Sequence, residues 1–117
     1  MTKPARGEIW EIRFDPAIGE EIQKIRPALV VQEDGLGRLA LSIVVPITEW
    51  KDRYSAFPWH TRILPSARNG LQKASSADAL QVKSVSHDRF TSRIGFVSSA
   101  DIENVAAAVA LCVGYSP

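Results

Sequence analysis

The alternation of apolar and polar positions predicts short β-strands along most of the chain. In residues 8–14, EIWEIRF, the apolar side chains Trp10, Ile12 and Phe14 recur at every second position, which is typical of a half-buried strand. The short apolar run PALVV, residues 27–31, predicts a second strand. A polar loop that begins with an Asp-Pro pair separates the two strands.

A third strand is predicted over residues 39–48, LALSIVVPIT, because the residue types of its two faces separate cleanly. Pro46 has no N–H to give to a neighbouring strand, so it predicts an edge strand or a bulge near the end of this segment. One face carries the large apolar side chains Leu39, Leu41, Ile43, Val45 and Ile47, and the other carries Ala40, Ser42, Val44, Pro46 and Thr48.

The second half of the chain predicts shorter elements and one helix. The helix begins near Ser98, with Asp101 three residues later as a capping box. Several short strands with one C-terminal helix predict a mainly β fold, a small β-barrel plus helix, in a single domain spanning 1–117. The other predicted elements are a charged and aromatic loop with a helical turn at 50–58, a strand at 59–64, a turn at 68–70, an extended segment at 75–83 and a strand at 93–97. The core-facing helical positions are Ile102, Val105, Ala106, Val109 and Cys112.

Composition places the chain among globular proteins, since 45% of its 117 residues are hydrophobic and 23% are charged. It contains no apolar run of the roughly 18 residues that a membrane span needs, and no apolar segment typical of a signal peptide near its start. Cys112 is the single cysteine, so no internal disulfide can form. These features predict a reducing, cytoplasmic location.

Charge is unevenly distributed although the net charge is only +1. Residues 1–49 carry six basic and eight acidic side chains, residues 50–93 carry eight basic and three acidic, and residues 94–117 carry two acidic and no basic. The basic middle of the chain forms either one positive face or a mixed, solvated surface, and the sequence leaves both open.

The sequence gives no support for a metal or a nucleotide cofactor. One cysteine and two distant histidines, His60 and His87, do not make a zinc site. Neither a Walker-type lysine loop nor a GxGxxG motif is present. We therefore predict that the protein needs no cofactor.

Arg26 stands out because Pro27 follows it at the start of a predicted strand. Proline restrains the preceding residue to an extended conformation. A guanidinium held in this way suits bidentate recognition of a phosphate or carboxylate. The alternative is that Arg26 only solvates the end of the strand.

Five sequence blocks, RGEIWEIRFDP, GEEIQKIRPALVV, VVPIT, NGLQKASS and LQVKSV, resemble the MazF/PemK (Kid) family of bacterial toxins. The resemblance extends from about Gly7 to Tyr115. It implies an SH3-like barrel of the CcdB/Kid/MazF type that forms a two-fold dimer. It also implies a toxin that cleaves single-stranded RNA without a metal, leaves 2′,3′-cyclic phosphate and 5′-hydroxyl ends, and is neutralised by an antitoxin with a disordered acidic tail.

The family motifs imply roles for individual residues of this chain. Arg26 and Thr48 match the catalytic arginine and threonine, and Glu21 matches a glutamate in the loop that lines the RNA site. The block at 75–85 departs from the family pattern, because Leu80 stands where many members carry aspartate. Asp78 could replace that aspartate if the segment is extended, since positions two apart share a strand face. The predicted RNA contacts are Gln23, Lys24, Trp50, Arg53, Ser75, Asp78, Gln81 and Lys83.

Three questions stay open at this point. The aromatic loop at 50–59 either stacks on RNA bases or packs within the fold or a dimer interface. The same fold also hosts CcdB-type gyrase inhibitors, so a gyrase poison is an alternative function. A catalytically degenerate member that only binds RNA or antitoxin is a further alternative, motivated by the altered block.

Overall fold

The computed structural model of the protein describes residues 3–22 and 24–116. Within them, a mainly β arrangement precedes a single C-terminal helix, which confirms the predicted fold class. Short 3₁₀ turns at Asp52–Ala56, Ala79–Gln81 and His87–Arg89 connect the later strands. The strands are β1 Glu8–Arg13, β2 Ile25–Val30, β3 Leu41–Glu49, β4 His60–Ile63, β5 Ser75–Asp78, β6 Lys83–Ser86 and β7 Phe90–Phe96, and the helix is α1 Ser99–Cys112.

The described strands form one antiparallel sheet in the order β4-β5-β3-β2-β1-β7, with β6 also paired to β3. β6 pairs with residues 41–44 of β3, and β5 pairs with residues 47–49. Pro46 lies in the interval between these two pairings, opposite Ala28 of β2. The prediction of an edge strand is therefore wrong: β3 is central, and the interval between β5 and β6 has no partner strand that needs an N–H from Pro46.

Hydrophobic side chains form two clusters, and neighbouring residues of one strand alternate between them. In β1, Ile9 belongs to the first cluster, whereas Trp10 and Ile12 belong to the second. The face of β3 that carries the large apolar side chains is covered only in part, since Leu41 and Ile43 are 37% and 40% exposed. The first half of β3 is buried through its other face, where Val44 belongs to the second cluster.

Helix α1 covers the first cluster with Ile102 and Val105. Its N-cap is Ser98, whose hydroxyl accepts a 3.1 Å hydrogen bond from the N–H of Asp101, as the sequence predicts. Ala108 is also buried, although the sequence did not predict it, and Cys112 is only half-buried. Of the helices in the described part of the chain, none is long and apolar enough to cross a membrane.

Candidate active site

Strands β2 and β3 bring Arg26 and Thr48 to the same end of the sheet. The antiparallel pairing of β2 with β3 ends at Ala28 and Pro46, so Arg26 and Thr48 each lie two residues beyond it at the same end of the two strands. Both residues line a cleft of about 440 Å³, formed by the ends of β1, β2 and β3 and by residues 70–73. We call it the β2–β3 cleft. The two predicted catalytic residues that lie on strands therefore share one open site.

Arg26 and Thr48 are both available to a ligand. Arg26 is exposed, and Thr48 is half-buried. In residues 3–22 and 24–116, the ion pairs leave out Arg26, and the side-chain hydrogen bonds leave out both residues. An arginine fork and a hydroxyl with unused donors in one cleft suit an oxyanion such as phosphate.

One wall of the cleft is a tightly held loop centred on Asn69. The buried Asn69 side chain donates to the Leu64 carbonyl at 2.9 Å and accepts from the N–H groups of Ser66 and Leu71 at 3.0 Å each. The loop also lies so close to β7 that a side chain at Gly95 would clash with the carbonyl of residue 68. The wall is therefore fixed by the fold, as expected of a preformed site.

The cleft contains carboxylates that the sequence motifs do not indicate. Glu11 lines it from β1, at the position opposite Pro27 of β2. Glu49 also lines it, with its carboxylate 3.3 Å from Lys73 Nζ. The one sequence signal for Glu11 is its place as the polar residue between two apolar ones in the β1 pattern. Ser75, a predicted RNA contact, lies in this cleft too, where its hydroxyl donates to the Lys73 carbonyl at 2.9 Å.

Glu21 does not line the β2–β3 cleft, and the structure groups it with two other predicted residues. Its carboxylate accepts from the N–H of Ile18 at 2.9 Å and lies 3.9 Å from Lys83 Nζ. Gln81 donates to the Glu20 carbonyl at 3.1 Å and accepts from the Ile22 N–H at 3.3 Å. Gln81 therefore fastens the loop before β2, a structural role that its sequence motif does not reveal.

Two of the predicted RNA contacts, Gln23 and Lys24, come just before β2. Gln23 lies outside the described residues. Lys24 is exposed, has a φ of +67° and donates its N–H to Asp15 at 2.9 Å. A positive φ is uncommon outside glycine and marks a sharp reversal of the chain immediately before β2.

The extended geometry that would let Asp78 replace the missing family aspartate is not observed. β5 ends at Asp78, and residues 79–81 form a 3₁₀ turn. The Asp78 carboxylate accepts from the N–H of Leu80 at 3.2 Å and so caps this turn. The prediction of an extended segment through 83 is therefore wrong, because a capped turn breaks the alternation of faces after Asp78.

Trp50 and Arg53, two predicted RNA contacts, lie outside the cleft. Trp50 belongs to an aromatic cluster with Tyr54, Phe57, Trp59 and His60. The Tyr54 and His60 rings stack with centroids 3.8 Å apart, and Phe57 stacks on Trp59 at 5.0 Å. The Arg53 guanidinium lies 5.4 Å from the Tyr54 centroid. The side chains of this loop therefore pack on one another within the described chain.

Within the aromatic cluster, His60 is the first residue of β4 and contacts the neighbouring strand β5. Its Nδ1 lies 2.7 Å from the hydroxyl of the buried Ser76. Burial lowers the pKa of His60 below its ordinary value, and Arg53 acts in the same direction against an opposing effect of Asp78. His60 is thus a structural histidine that favours its neutral form.

Comparison with known proteins decides the family. Residues 5–113 match the model of the PemK-like, MazF-like toxins of type II toxin–antitoxin systems. The chain belongs to this toxin family. Endoribonuclease MazF9 of Mycobacterium tuberculosis is 35% identical over 113 residues, covering 91% of this chain and 92% of its own. The Escherichia coli endoribonuclease toxin ChpB is 30% identical over 101 residues, covering 84% of each chain.

Solved structures show that the PemK/MazF-type chain has the fold of this family. MazF from Deinococcus radiodurans superposes with a TM-score of 0.79 at 20% identity, covering 98% of this chain and 100% of that one. A mycobacterial endoribonuclease solved in complex with its cognate antitoxin gives a TM-score of 0.75 at 16% identity, covering 97% and 98%. The resemblance in the sequence motifs is thereby confirmed over nearly the whole chain.

Proposed function

We propose that this protein is the toxin of a type II toxin–antitoxin pair and a metal-independent endoribonuclease that cleaves single-stranded RNA. The observation that supports the proposal is the shared cleft that Arg26 and Thr48 line from the same end of β2 and β3. The relatives named above as endoribonucleases add support, because the family match covers residues 5–113.

The reaction needs an attack by the ribose 2′-hydroxyl on the adjacent phosphorus. The P–O bond to the 5′-oxygen breaks, and the products are a 2′,3′-cyclic phosphate and a 5′-hydroxyl. Three tasks arise: removing the 2′-hydroxyl proton, stabilising charge on the non-bridging oxygens, and protonating the departing oxygen. Side chains can meet the first two tasks, and the departing oxygen can take its proton from solvent, so the route requires no metal.

Arg26 and Thr48 have roles that their chemistry supports. The Arg26 fork donates to two phosphate oxygens and stabilises the charge that develops there. The Thr48 hydroxyl donates to the same phosphate. Glu21 is the carboxylate proposed for the base or for a contact with the ribose, acting from the loop that Gln81 fastens.

RNA is proposed to run outward from the cleft over neighbouring basic and aromatic side chains. Phosphate contacts by cations provide affinity without reading sequence, whereas bases stack on aromatic rings. Ser75 extends the site within the cleft itself. The remaining proposed contacts are Gln23, Lys24, Trp50, Arg53, Asp78, Gln81 and Lys83.

We propose two protein partners and a cellular location. Leu36, Leu39, Leu41 and Ile43 expose an apolar patch, which supports a homodimer because such patches mark interaction surfaces. A cognate antitoxin with a disordered acidic tail would compete with RNA for the basic side chains. Cytoplasmic location fits the lone Cys112.

The test is to incubate the purified protein with a long unstructured RNA in excess EDTA and to map the new ends. We expect cuts at one recurrent motif, with 5′-hydroxyl ends, and cleavage lowered on the order of a hundredfold or more with Arg26→Ala prepared in parallel. Intact RNA from folded wild-type protein would contradict the proposal, and gyrase inhibition and RNA binding without cleavage would then be measured.

A further inference from the structure

The β2–β3 cleft has an apolar floor beside its phosphate-binding end. Ile47 is 2% exposed, and Leu71 and Ile94 are half-buried against the first hydrophobic cluster. Pro27 completes this floor on β2. Single-stranded RNA is recognised by splayed bases whose flat faces pack on side chains and whose edges form hydrogen bonds. An apolar floor with polar groups around it suits the binding of one base, whose face packs on the floor and whose edge forms hydrogen bonds.

Glu11 is the carboxylate of the cleft that is free to meet a ligand. It lies between Pro27 of β2 and Ser92 of β7 in the sheet. Among the side-chain hydrogen bonds and ion pairs of the described residues, none involves its carboxylate, whereas Glu49 is already paired with Lys73 at 3.3 Å. Glu11 thus has both oxygens available.

A carboxylate in an RNA cleft repels phosphate, so it is favourable only where the RNA presents donors. Guanine presents two adjacent donors, N1–H and the 2-amino group, which two carboxylate oxygens can accept together. Cytosine and adenine offer an amino group alone, and uracil offers one N–H between two carbonyls. Bidentate pairing with a base edge discriminates against the other bases on the order of tenfold to a hundredfold.

We propose that the β2–β3 cleft holds one RNA base next to the phosphate bound by Arg26 and Thr48, and that Glu11 selects a base with a donor edge, guanine first and uracil last. This inference rests on the proposed ribonuclease function and assigns part of its sequence specificity. Arg26 binds the phosphate, and Glu11 reads the adjacent base.

The experiment compares wild-type protein with Glu11→Gln on an RNA pool with randomised sequence, followed by mapping of all new ends. The amide keeps the size of the side chain but presents one acceptor and one donor. Glu33→Gln, the same change at an exposed loop position outside the cleft, is the matched control. We expect the wild type and the control to require guanine at one position beside the cut. In Glu11→Gln that requirement should relax, with cleavage of the preferred motif falling on the order of tenfold to a hundredfold.

Other outcomes would overturn the inference. The same motif cut at the same rate by Glu11→Gln would remove Glu11 from recognition. An equal loss at every motif, with undiminished binding of a 2′-deoxy RNA analogue, would make Glu11 a general base instead. A wild-type motif with uracil at the position beside the cut would also contradict it.

Failure of the proposed function remains distinguishable. If the wild type cuts no RNA, binding of labelled RNAs that differ only in guanine or uracil tests the cleft directly. A guanine preference that disappears in Glu11→Gln supports the base subsite without any cleavage. Equal binding of the two RNAs by the wild type overturns it.

Discussion

The β2–β3 cleft and the aromatic cluster both carry the side chains expected of an RNA site, but they differ in what those side chains already contact. In the cleft, the side-chain donors of Arg26 and Thr48 have no partner among the described residues. In the cluster, Tyr54 is stacked on His60 and lies beneath Arg53, so its contacts are made within the protein. Unused groups are available for chemistry, whereas satisfied groups stabilise the fold. Substitutions in the two regions should therefore separate activity from stability.

The largest effect is expected at Arg26. Arg26→Ala removes the donors aimed at the developing charge, and cleavage should fall on the order of 10²- to 10³-fold in single-turnover assays. Thermal unfolding should barely change, because the side chain is exposed and makes no ion pair within the described residues. Arg26→Lys keeps the charge but not the planar fork, and should recover only part of the rate. Full activity of Arg26→Ala would remove the cleft from the reaction.

Thr48 should give a smaller loss of the same kind. Thr48→Val preserves shape while it removes the hydroxyl, so one hydrogen bond to a charged group is lost, worth about 1.5–3 kcal/mol, or roughly tenfold to a hundredfold in rate. Thr48→Ser retains the hydroxyl and should stay close to the wild type. The comparison is made on RNA cleavage at saturating protein. Equal rates for the two variants would assign Thr48 to strand packing.

Tyr54 should show the opposite pattern. Tyr54→Ala removes a ring stacked at 3.8 Å on His60, and should lower the free energy of unfolding by about 1 kcal/mol. Cleavage measured well below the unfolding temperature should change less than about twofold, since the site groups are untouched. Tyr54→Phe keeps the ring and serves as the control. A large activity loss without destabilisation would show that the cluster contacts RNA after all.

The sequence predicts best those site residues whose position depends on the strands themselves. Arg26 and Thr48 are predicted from motifs that lie at the ends of adjacent strands, and the antiparallel pairing of these strands puts both ends on the same side of the sheet. In the strand pattern, Glu11 is the polar residue between Trp10 and Ile12. No motif distinguishes it from an ordinary outward-facing residue. Only the packing of residues 70–73 over the strand ends shows that Glu11 lines a cleft.

Loops and turns were less predictable for physical reasons. Pro46 requires only that no partner strand needs its N–H, and an edge strand is one way to meet that need. Here the side of β3 is divided between β5 and β6, which depends on the whole topology. Asp78 is the last residue of β5, and its carboxylate caps the turn that follows. This local hydrogen bond competes with an extended continuation of the strand. Gln81 fastens a loop about sixty residues earlier in the chain, a contact that local sequence does not contain.

The smallest expected effect is a pH dependence of stability in the aromatic cluster. Burial lowers the pKa of His60 in the folded state below its ordinary value of 6.5, so the unfolded chain binds a proton more readily than the folded one. Stability from the neutral ring is therefore present above the unfolded pKa and is lost as the pH falls through and below it. His60→Phe keeps a ring against Tyr54 and has no proton to gain, although it gives up the bond to Ser76. Between about pH 7.5 and about pH 5.5, the unfolding temperature of the wild type should fall relative to that of His60→Phe. Parallel curves would mean that His60 titrates alike in both states and that packing in the cluster does not lower its pKa.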